Sequence, residues 1–158
     1  MPRFCANLSL LFTEHPFAER WAAAARAGFR GVECHFPYAE PADLLAGEVR
    51  RNGLEQVLFN LPPGDWAAGE RGIACLPDRV AEFEDGVGRA IEYARALGCR
   101  RINCLAGIAP AGAERAELLS VMEGNLRFAA RALARESIEL LVEPINDRDM
   151  PGFLLNRS

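Results

Sequence analysis

The chain alternates between short apolar segments and longer amphipathic ones, and this alternation restricts the fold more than any other feature of the sequence. Five segments have the length and hydrophobicity of buried strands, and four others repeat apolar residues at helical spacing. Strands that alternate with helices form parallel βαβ units with right-handed crossovers. The sequence therefore predicts an α/β fold. The predicted strands cover residues 4–8, 31–36, 54–59, 101–106 and 140–142.

The predicted helices have recognisable starts and stops. The first opens at residues 13–16 and ends at Gly28, and the second runs from Pro41 to residues 52–53. Asp78 is the expected cap of the third helix, which Gly98 closes. The fourth helix is expected to bury an apolar stripe formed by Leu119, Met122, Leu126, Ala129, Ala130 and Leu133.

Five strand–helix units fit either an open flavodoxin-like sheet or part of a closed barrel. No glycine-rich phosphate turn follows the first strand, where residues 8–12 are mainly apolar instead. No amphipathic helix follows the fifth strand to cover one face of an open sheet. These two observations favour a partial TIM (β/α) barrel. We expect parallel strands 1–5 with their intervening helices, in a single, incomplete domain of residues 1–158.

All 18 basic residues are arginine, which excludes chemistry that depends on a Schiff-base lysine or a P-loop lysine. The net charge of −4 and the pI of about 5.3 lack the basic footprint of a nucleic-acid-binding protein. No apolar run reaches membrane length, and residues 1–7 lack the apolar core of a secretory signal. We therefore expect a cytoplasmic protein with no nucleic-acid partner and no membrane partner.

The cysteines and histidines limit the metal chemistry that the chain can support. Its five cysteines contain no CxxC pair and are typical of reduced thiols in a cytosolic protein. Only His15 and His35 supply imidazole groups. A metal site would therefore depend on carboxylates and amides, which favours hard divalent ions over zinc.

The fifth strand delivers a carboxylate to its carboxyl end. Residues 140–142 are apolar, Glu143 follows, and Pro144 stops the regular pairing because it has no N–H to donate. Open α/β sheets and α/β barrels carry their chemistry at this end of the strands. Glu143 is thus the candidate catalytic residue, although its position also fits a glutamate near a loop that pairs with one of the arginines.

Polar residues recur near the carboxyl ends of four of the predicted strands. In a closing barrel these side chains would converge on one mouth. Within the second strand, Glu33 and His35 are expected to share a face while Cys34 opposes them. The alternative for His35 is a hydrogen-bonded histidine at the rim of the sheet. The recurring residues are Asn7, Glu33, His35, Asn60, Glu143 and Asn146.

The segment 60–72 is the most unusual loop in the sequence, with two prolines, three glycines and one tryptophan. Loops of this length usually act as lids or binding loops. Trp66 is a candidate to close over a substrate, and Arg71 is a candidate to hold a substrate carboxylate through two hydrogen bonds. The alternative is a surface loop in which Trp66 packs at the barrel edge and Arg71 pairs with Glu70 or Asp65.

Several segments together resemble the hydroxypyruvate isomerase family, whose members are xylose-isomerase-like TIM barrels. The most specific are the Gly-Asp-Trp loop at 64–66 with its continuation to residue 73, and Glu-Pro-Ile-Asn at 143–146. The resemblance extends over nearly the whole chain. It is also carried by the segments 3–9, 28–33, 36–38, 60–63, 95–99 and 102–107.

The resemblance implies an isomerase that interconverts hydroxypyruvate and tartronate semialdehyde, or a related 2-oxo acid, through an enediolate. It implies that Glu143 donates and accepts the proton and also serves as a possible ligand of a divalent metal such as Mg or Mn. A second glutamate would come from an eighth strand. Asn60, Trp66 and Arg71 are the candidate residues that bind the small 2-oxo or hydroxy acid substrate.

The 158 residues extend only a short way beyond the fifth strand, whereas such a barrel needs about 250 residues. We therefore expect this chain alone to be inactive and its unpaired strand edges to cause poor solubility or assembly into a homo-oligomer. A non-catalytic α/β binding module derived from such a barrel is the alternative. A barrel endonuclease is disfavoured by the acidic charge and by the small number of histidines.

Overall fold

The computed structural model describes residues 2–157 and contains one parallel sheet of five strands. The strands lie side by side in the order in which they occur along the chain, and every neighbouring pair is parallel. A flavodoxin-like sheet would instead place its second strand outside its first. The expected partial TIM barrel is thus confirmed. The strands are β1 (Cys5–Asn7), β2 (Gly31–Glu33), β3 (Glu55–Asn60), β4 (Arg101–Cys104) and β5 (Glu139–Val142).

Four α-helices connect consecutive strands, as the sequence predicts. They are α1 (Arg20–Arg26), α2 (Ala42–Arg51), α3 (Val80–Leu97) and α4 (Arg115–Ala134). Short 3₁₀ turns, Phe17–Glu19 and Pro77–Arg79, precede α1 and α3. None of the helices within residues 2–157 has the length and apolar character needed to cross a membrane.

The starts of two helices and one apolar stripe differ from the sequence prediction. The first helical turn begins after Pro16 rather than at residue 13, and no side chain caps it. Asp78 does not cap α3, because it lies inside the 3₁₀ turn that leads into that helix. In α4, Leu119 is 36% exposed and Ala130 is also exposed, so two members of the predicted stripe lie outside it. The residues that α4 buries are Leu118, Met122, Asn125, Ala129 and Leu133.

Alternation along the strands separates an apolar face from a polar one. Val32 and Ile102 are completely buried, and the residues that follow them, Glu33 and Asn103, therefore point to the opposite face of the sheet. The register pairs Asn7 with Glu33, and it pairs Asn103 with both Asn60 and Leu141. Polar side chains on one face thus line up near the carboxyl ends of neighbouring strands.

One of the two tryptophans is part of the core between sheet and helices. Trp21 in α1 is fully buried, and its indole Nε1 donates a hydrogen bond of 3.2 Å to Oε1 of Gln56 in β3. The Gln56 amide in turn donates to the Leu58 carbonyl at 3.0 Å. The polar groups inside this part of the core are therefore paired, which removes the cost of burying them.

The segment after β5 contributes two buried side chains and two backbone hydrogen bonds to the fold. Phe153 and Leu154 are buried, and Leu154 N–H donates to the Gly107 carbonyl at 2.9 Å. The Ala109 N–H donates to the Gly152 carbonyl at the same distance. Residues 152–154 therefore pack against the loop that follows β4.

The four buried thiols, Cys34, Cys75, Cys99 and Cys104, are expected to react slowly while the protein is folded, whereas Cys5 is exposed. Burial is the main cause that raises the pKa of Cys5, Cys75 and Cys99 from 9.0 to about 11, and that of Cys34 and Cys104 to about 12. A pKa of 11 leaves about a hundredfold less thiolate at neutral pH than one of 9. Titration with a chromogenic disulfide at pH 7.5 should be slow for the four buried thiols before denaturation and rapid for all five thiols afterwards. A rapid native reaction of any buried thiol would contradict this.

Candidate active site

Glu143 lies at the carboxyl edge of the sheet, one residue beyond the end of β5. Leu141 is paired with Asn103 in the strand register, so Glu143 stands two positions past that pair. Its side chain is exposed. The strand order therefore puts the only strand-end glutamate of β5 on the edge that carries the polar residues of β3 and β4.

Hydrogen bonds organise the turn that follows Glu143. Asn146 Oδ1 accepts from the backbone N–H groups of Arg148 at 3.1 Å and Asp149 at 2.9 Å, while its Nδ2 donates to Asp149 Oδ2 at 3.0 Å. The Ile145 N–H donates to the Leu155 carbonyl at 3.0 Å. Asn146 thus shapes the backbone next to Glu143 rather than offering free polar atoms of its own.

Trp66 and Arg71 form a stacked pair in the loop between β3 and α3. The Arg71 Cζ atom lies 3.9 Å from the centroid of the Trp66 ring. Arg71 Nη1 also donates to the carbonyls of Trp66 at 3.1 Å and Glu70 at 2.7 Å. Within residues 2–157, Arg71 makes no ion pair, so the expected alternative in which it pairs with Glu70 or Asp65 is wrong. Its positive charge remains available for an anion.

Two aromatic residues that follow β2, His35 and Phe36, pack near the Trp66 ring. The ring centroid of Phe36 lies 5.0 Å from that of Trp66, and the His35 centroid lies 6.4 Å away. His35 is also held through its backbone N–H, which donates to Ser9 Oγ at 2.8 Å. His35 and Phe36 are therefore neighbours of the candidate binding loop. Sequence reasoning missed this, because no spacing rule relates residues 35 and 66.

Two glycines allow the loop to take its shape. Gly64 and Gly72 have φ values of +81° and +104°, which side chains other than glycine rarely adopt. A Cβ atom on Gly64 would collide with the Glu70 carboxylate, and one on Gly72 would collide with the Leu105 carbonyl. The backbone of the loop can therefore lie against both its own carboxylate and the end of β4.

Two hydrogen-bonded side-chain pairs occupy other positions along the same edge. Asn103 Nδ2 donates to Asn60 Oδ1 at 3.1 Å, and both residues are buried. Asn7 Nδ2 donates to Glu33 Oε1 at 3.0 Å. Asn60 Oδ1 is thus already occupied, and within the described residues only its Nδ2 is left to contact a ligand. The Asn103 partner was not among the predicted site residues.

The predicted site residues are brought to one edge of the sheet, but not all of them touch. Trp66 and Arg71 are in contact, whereas Asn60 accepts a hydrogen bond from Asn103. In the part of the chain that the structure describes, no hydrogen bond or ion pair joins Glu143 to Asn60, Trp66 or Arg71. The arrangement is therefore a row of separate groups along a rim.

Residues 2–157 hold no group of three His, Cys, Asp or Glu side chains close enough to share a metal ion. Glu33 Oε1 accepts a hydrogen bond from Asn7, and Glu143 is the one residue that the sequence predicts as a metal ligand. The described residues alone therefore do not form a complete site for a divalent ion.

A cavity of about 640 Å³ lies at the opposite end of the strands. Its lining includes Arg3, Glu55 and Arg101 from the amino ends of the sheet. Arg3 pairs with Glu55 at 3.8 Å, and Arg101 pairs with Glu139 at 3.5 Å. Because β/α barrels place their chemistry at the carboxyl ends of the strands, this cavity is not the candidate active site.

Sequential parallel strands with polar groups at their carboxyl edge define part of a β/α barrel of the type found in enzymes. Comparison with known families agrees with this class. The chain belongs to the xylose isomerase-like TIM barrel family, whose profile matches residues 21–157.

The chain is similar to curated isomerases over nearly its whole length. It is 54% identical to the 2-oxo-tetronate isomerase of Cupriavidus necator, across 100% of this chain and 61% of that protein. It is 55% identical to the hydroxypyruvate isomerase of Escherichia coli, across 98% of this chain and 60% of that protein. The chain thus spans about three-fifths of the length of these relatives.

Solved structures show the same fold. A protein from Brucella melitensis, described as an AP endonuclease of family 2, superposes with a TM-score of 0.95 at 51% identity and covers 98% of this chain and 60% of its own. A D-allulose 3-epimerase from Methylomonas sp. superposes with a TM-score of 0.69 at 19% identity, over 91% of this chain and 51% of its own. The second likeness concerns the fold alone.

Proposed function

We propose that these residues belong to an isomerase that interconverts hydroxypyruvate and tartronate semialdehyde, or the corresponding forms of a related 2-oxo acid such as 2-oxo-tetronate. The observation that carries the proposal is the position of Glu143 at the carboxyl end of β5, on the same edge of the sheet as the polar ends of β3 and β4. The names of the curated relatives support the choice of substrate class.

The reaction moves one proton between adjacent carbons. The Glu143 carboxylate removes a proton from C3 of hydroxypyruvate, and the electrons of the broken C–H bond form the C2–C3 double bond of an enediolate. A proton passes from the oxygen on C3 to the oxygen on C2, and an acid returns a proton to C2. The product has an aldehyde at C3 and a hydroxyl at C2, so that atoms and electrons balance without any oxidant.

The loop between β3 and α3 supplies the groups for substrate binding. Arg71 is stacked on Trp66 and has no ion pair among the described residues, so its guanidinium is suited to the substrate carboxylate. Trp66 is 39% exposed and offers an apolar surface over the carbon chain. Asn60 Nδ2 is the remaining donor for a substrate oxygen.

A divalent ion such as Mg or Mn is the proposed cofactor, with Glu143 as one of its ligands. When bound, such an ion would polarise the substrate carbonyl. The described residues hold no group of three His, Cys, Asp or Glu side chains, so the ion would need ligands in addition to Glu143. The roles proposed above for Glu143, Arg71, Trp66 and Asn60 do not depend on it.

Isotope exchange tests the proposed function directly. We would compare the 158-residue chain with a barrel fusion, in which residues 1–157 are followed by the remaining part of the E. coli hydroxypyruvate isomerase. In D₂O the fusion should place deuterium at C2 of the product, as followed by ¹H NMR. The shorter chain should not, because the second glutamate that the family resemblance implies would come from a later strand. A folded fusion that neither exchanges nor converts hydroxypyruvate or 2-oxo-tetronate would contradict the proposal.

A binding module without catalysis is the second candidate, and the stacked Trp66–Arg71 pair, in which Trp66 is exposed, is the observation that favours it. A binding module predicts that the barrel fusion binds a 2-oxo or hydroxy acid but places no deuterium in it. A nuclease is not proposed, although one similar structure carries that description. The chain has a net charge of −4, and phosphate backbones are bound mainly through positive charge.

A further inference from the structure

Glu70 stands at the base of the loop that carries Trp66 and Arg71. Its carboxylate accepts the Asp65 N–H, and it accepts a hydrogen bond of 2.7 Å from Arg79 Nη1. The carboxylate thus adds to the backbone bond of 3.0 Å from Glu70 N–H to the Asp65 carbonyl, and together they close a short turn with Trp66 inside it and Arg71 directly after it. We refer to Glu70 and Arg79 as the Glu70–Arg79 latch.

Arg79 attaches this turn to the third helix. It lies in the 3₁₀ turn Pro77–Arg79 that leads into α3, and it also pairs with Glu82 in the first turn of that helix. The side chains of Glu70 and Arg79 are 29% and 27% exposed, so the pair is partly shielded from water. The Arg79 guanidinium, together with the Asp65 N–H, holds the pKa of the Glu70 carboxyl below its usual range.

The latch is linked to the stacked pair through the backbone. Besides accepting from Asp65 N–H through its side chain, Glu70 offers its own carbonyl to Arg71 Nη1 at 2.7 Å. The Trp66 carbonyl accepts from the same nitrogen at 3.1 Å. The position of the Arg71 guanidinium therefore depends on the turn that Glu70 closes. Gly64 leaves the space that the Glu70 carboxylate occupies.

We propose that Glu70, held by Arg79, is a positioning residue that orients the Trp66–Arg71 pair for the carboxylate of the substrate. This inference rests on the proposed function, because it gives the loop a 2-oxo or hydroxy acid to bind. The latch contacts no substrate. It fixes the backbone carbonyls that hold Arg71, so that a ligand does not have to order the loop on binding.

The first test measures loop order in the 158-residue chain without any ligand. Trp21 is fully buried and Trp66 is 39% exposed, so acrylamide quenching of tryptophan fluorescence reports mainly on Trp66. A Trp66→Phe variant gives the baseline from Trp21. Glu70→Gln and Arg79→Gln should each raise the quenching constant about twofold. Glu82→Gln is the matched control, since Glu82 shares Arg79 as a partner but lies outside the loop, and it should leave quenching unchanged.

The second test measures binding and turnover. Tartronate titrated into the chain should bind about tenfold more weakly to Glu70→Gln than to wild type or to Glu82→Gln. In the barrel fusion, Glu70→Gln should raise KM about tenfold and change kcat less than twofold. A general loss of structure would lower kcat and thermal stability as well, whereas a positioning role alters KM alone.

Unchanged quenching in Glu70→Gln would overturn the inference, whatever the activity. Increased quenching with unchanged tartronate affinity would overturn it too, as would a wild-type chain that binds no tartronate. If the fusion converts no substrate while Glu70→Gln still weakens tartronate binding, the proposed function fails and the positioning role of Glu70 stands.

Discussion

Replacing Glu143 with glutamine in the barrel fusion is expected to lower kcat about a thousandfold, because general acid–base groups typically contribute 10²–10⁴ in rate. Glutamine has nearly the same shape as glutamate but cannot accept a proton at neutral pH. Glu143 is exposed and makes no hydrogen bond within the described residues, so its replacement should not disturb packing. The measurement is steady-state conversion of hydroxypyruvate, with deuterium exchange in D₂O as the second readout.

Glu139→Gln provides the matched control for this variant. Glu139 belongs to the same strand and is also exposed, but it lies at the amino end of β5, where it pairs with Arg101 at 3.5 Å. An exposed pair of this kind contributes little to stability, about 0–1 kcal/mol. Glu139→Gln should therefore retain activity within about twofold. Normal turnover by a folded Glu143→Gln fusion would show that this carboxylate does not move the proton.

Local patterns in the sequence were enough to predict the main architecture. Hydrophobic period and length located all five strands to within a few residues, and Gly98 ends α3 where the pattern stops. The expectation that β5 is a buried strand is wrong, because Leu141 and Val142 are exposed. Pro144 marked the end of β5 and thereby exposed Glu143 as a strand-end carboxylate. Such features depend on neighbouring residues only, and the sequence contains that information directly.

Other features depend on contacts between distant segments and could not be predicted. Several carboxylates lie close to Arg71 in the sequence. In the structure, however, the Glu70 carboxylate accepts a hydrogen bond from the Asp65 N–H and forms an ion pair with Arg79. Likewise, the Asn60–Asn103 pair follows from the register between β3 and β4. Both outcomes are set by tertiary geometry, because side-chain partners are selected only after the turn and the sheet have formed.

Removing the Arg71 side chain is expected to weaken substrate binding much more than it slows the chemical step. A hydrogen bond to a charged group contributes about 1.5–3 kcal/mol, which corresponds to roughly 10- to 150-fold in affinity. In the barrel fusion, Arg71→Ala should raise KM for hydroxypyruvate by this factor. The KM of Arg71→Lys should fall between those of the wild type and Arg71→Ala, because lysine keeps the charge but loses the planar fork that matches a carboxylate.

Arg127→Ala is the control for the loss of one arginine. Arg127 lies on the exposed face of α4 and pairs with Glu123 on the same helix, far along the chain from the loop. Its removal changes the net charge by the same amount as Arg71→Ala and should leave KM unchanged. The measurements are KM, kcat and the inhibition constant of tartronate, which should rise in parallel with KM. If Arg71→Ala binds hydroxypyruvate and tartronate as the wild type does, the substrate carboxylate is held elsewhere and the assignment of Arg71 is wrong.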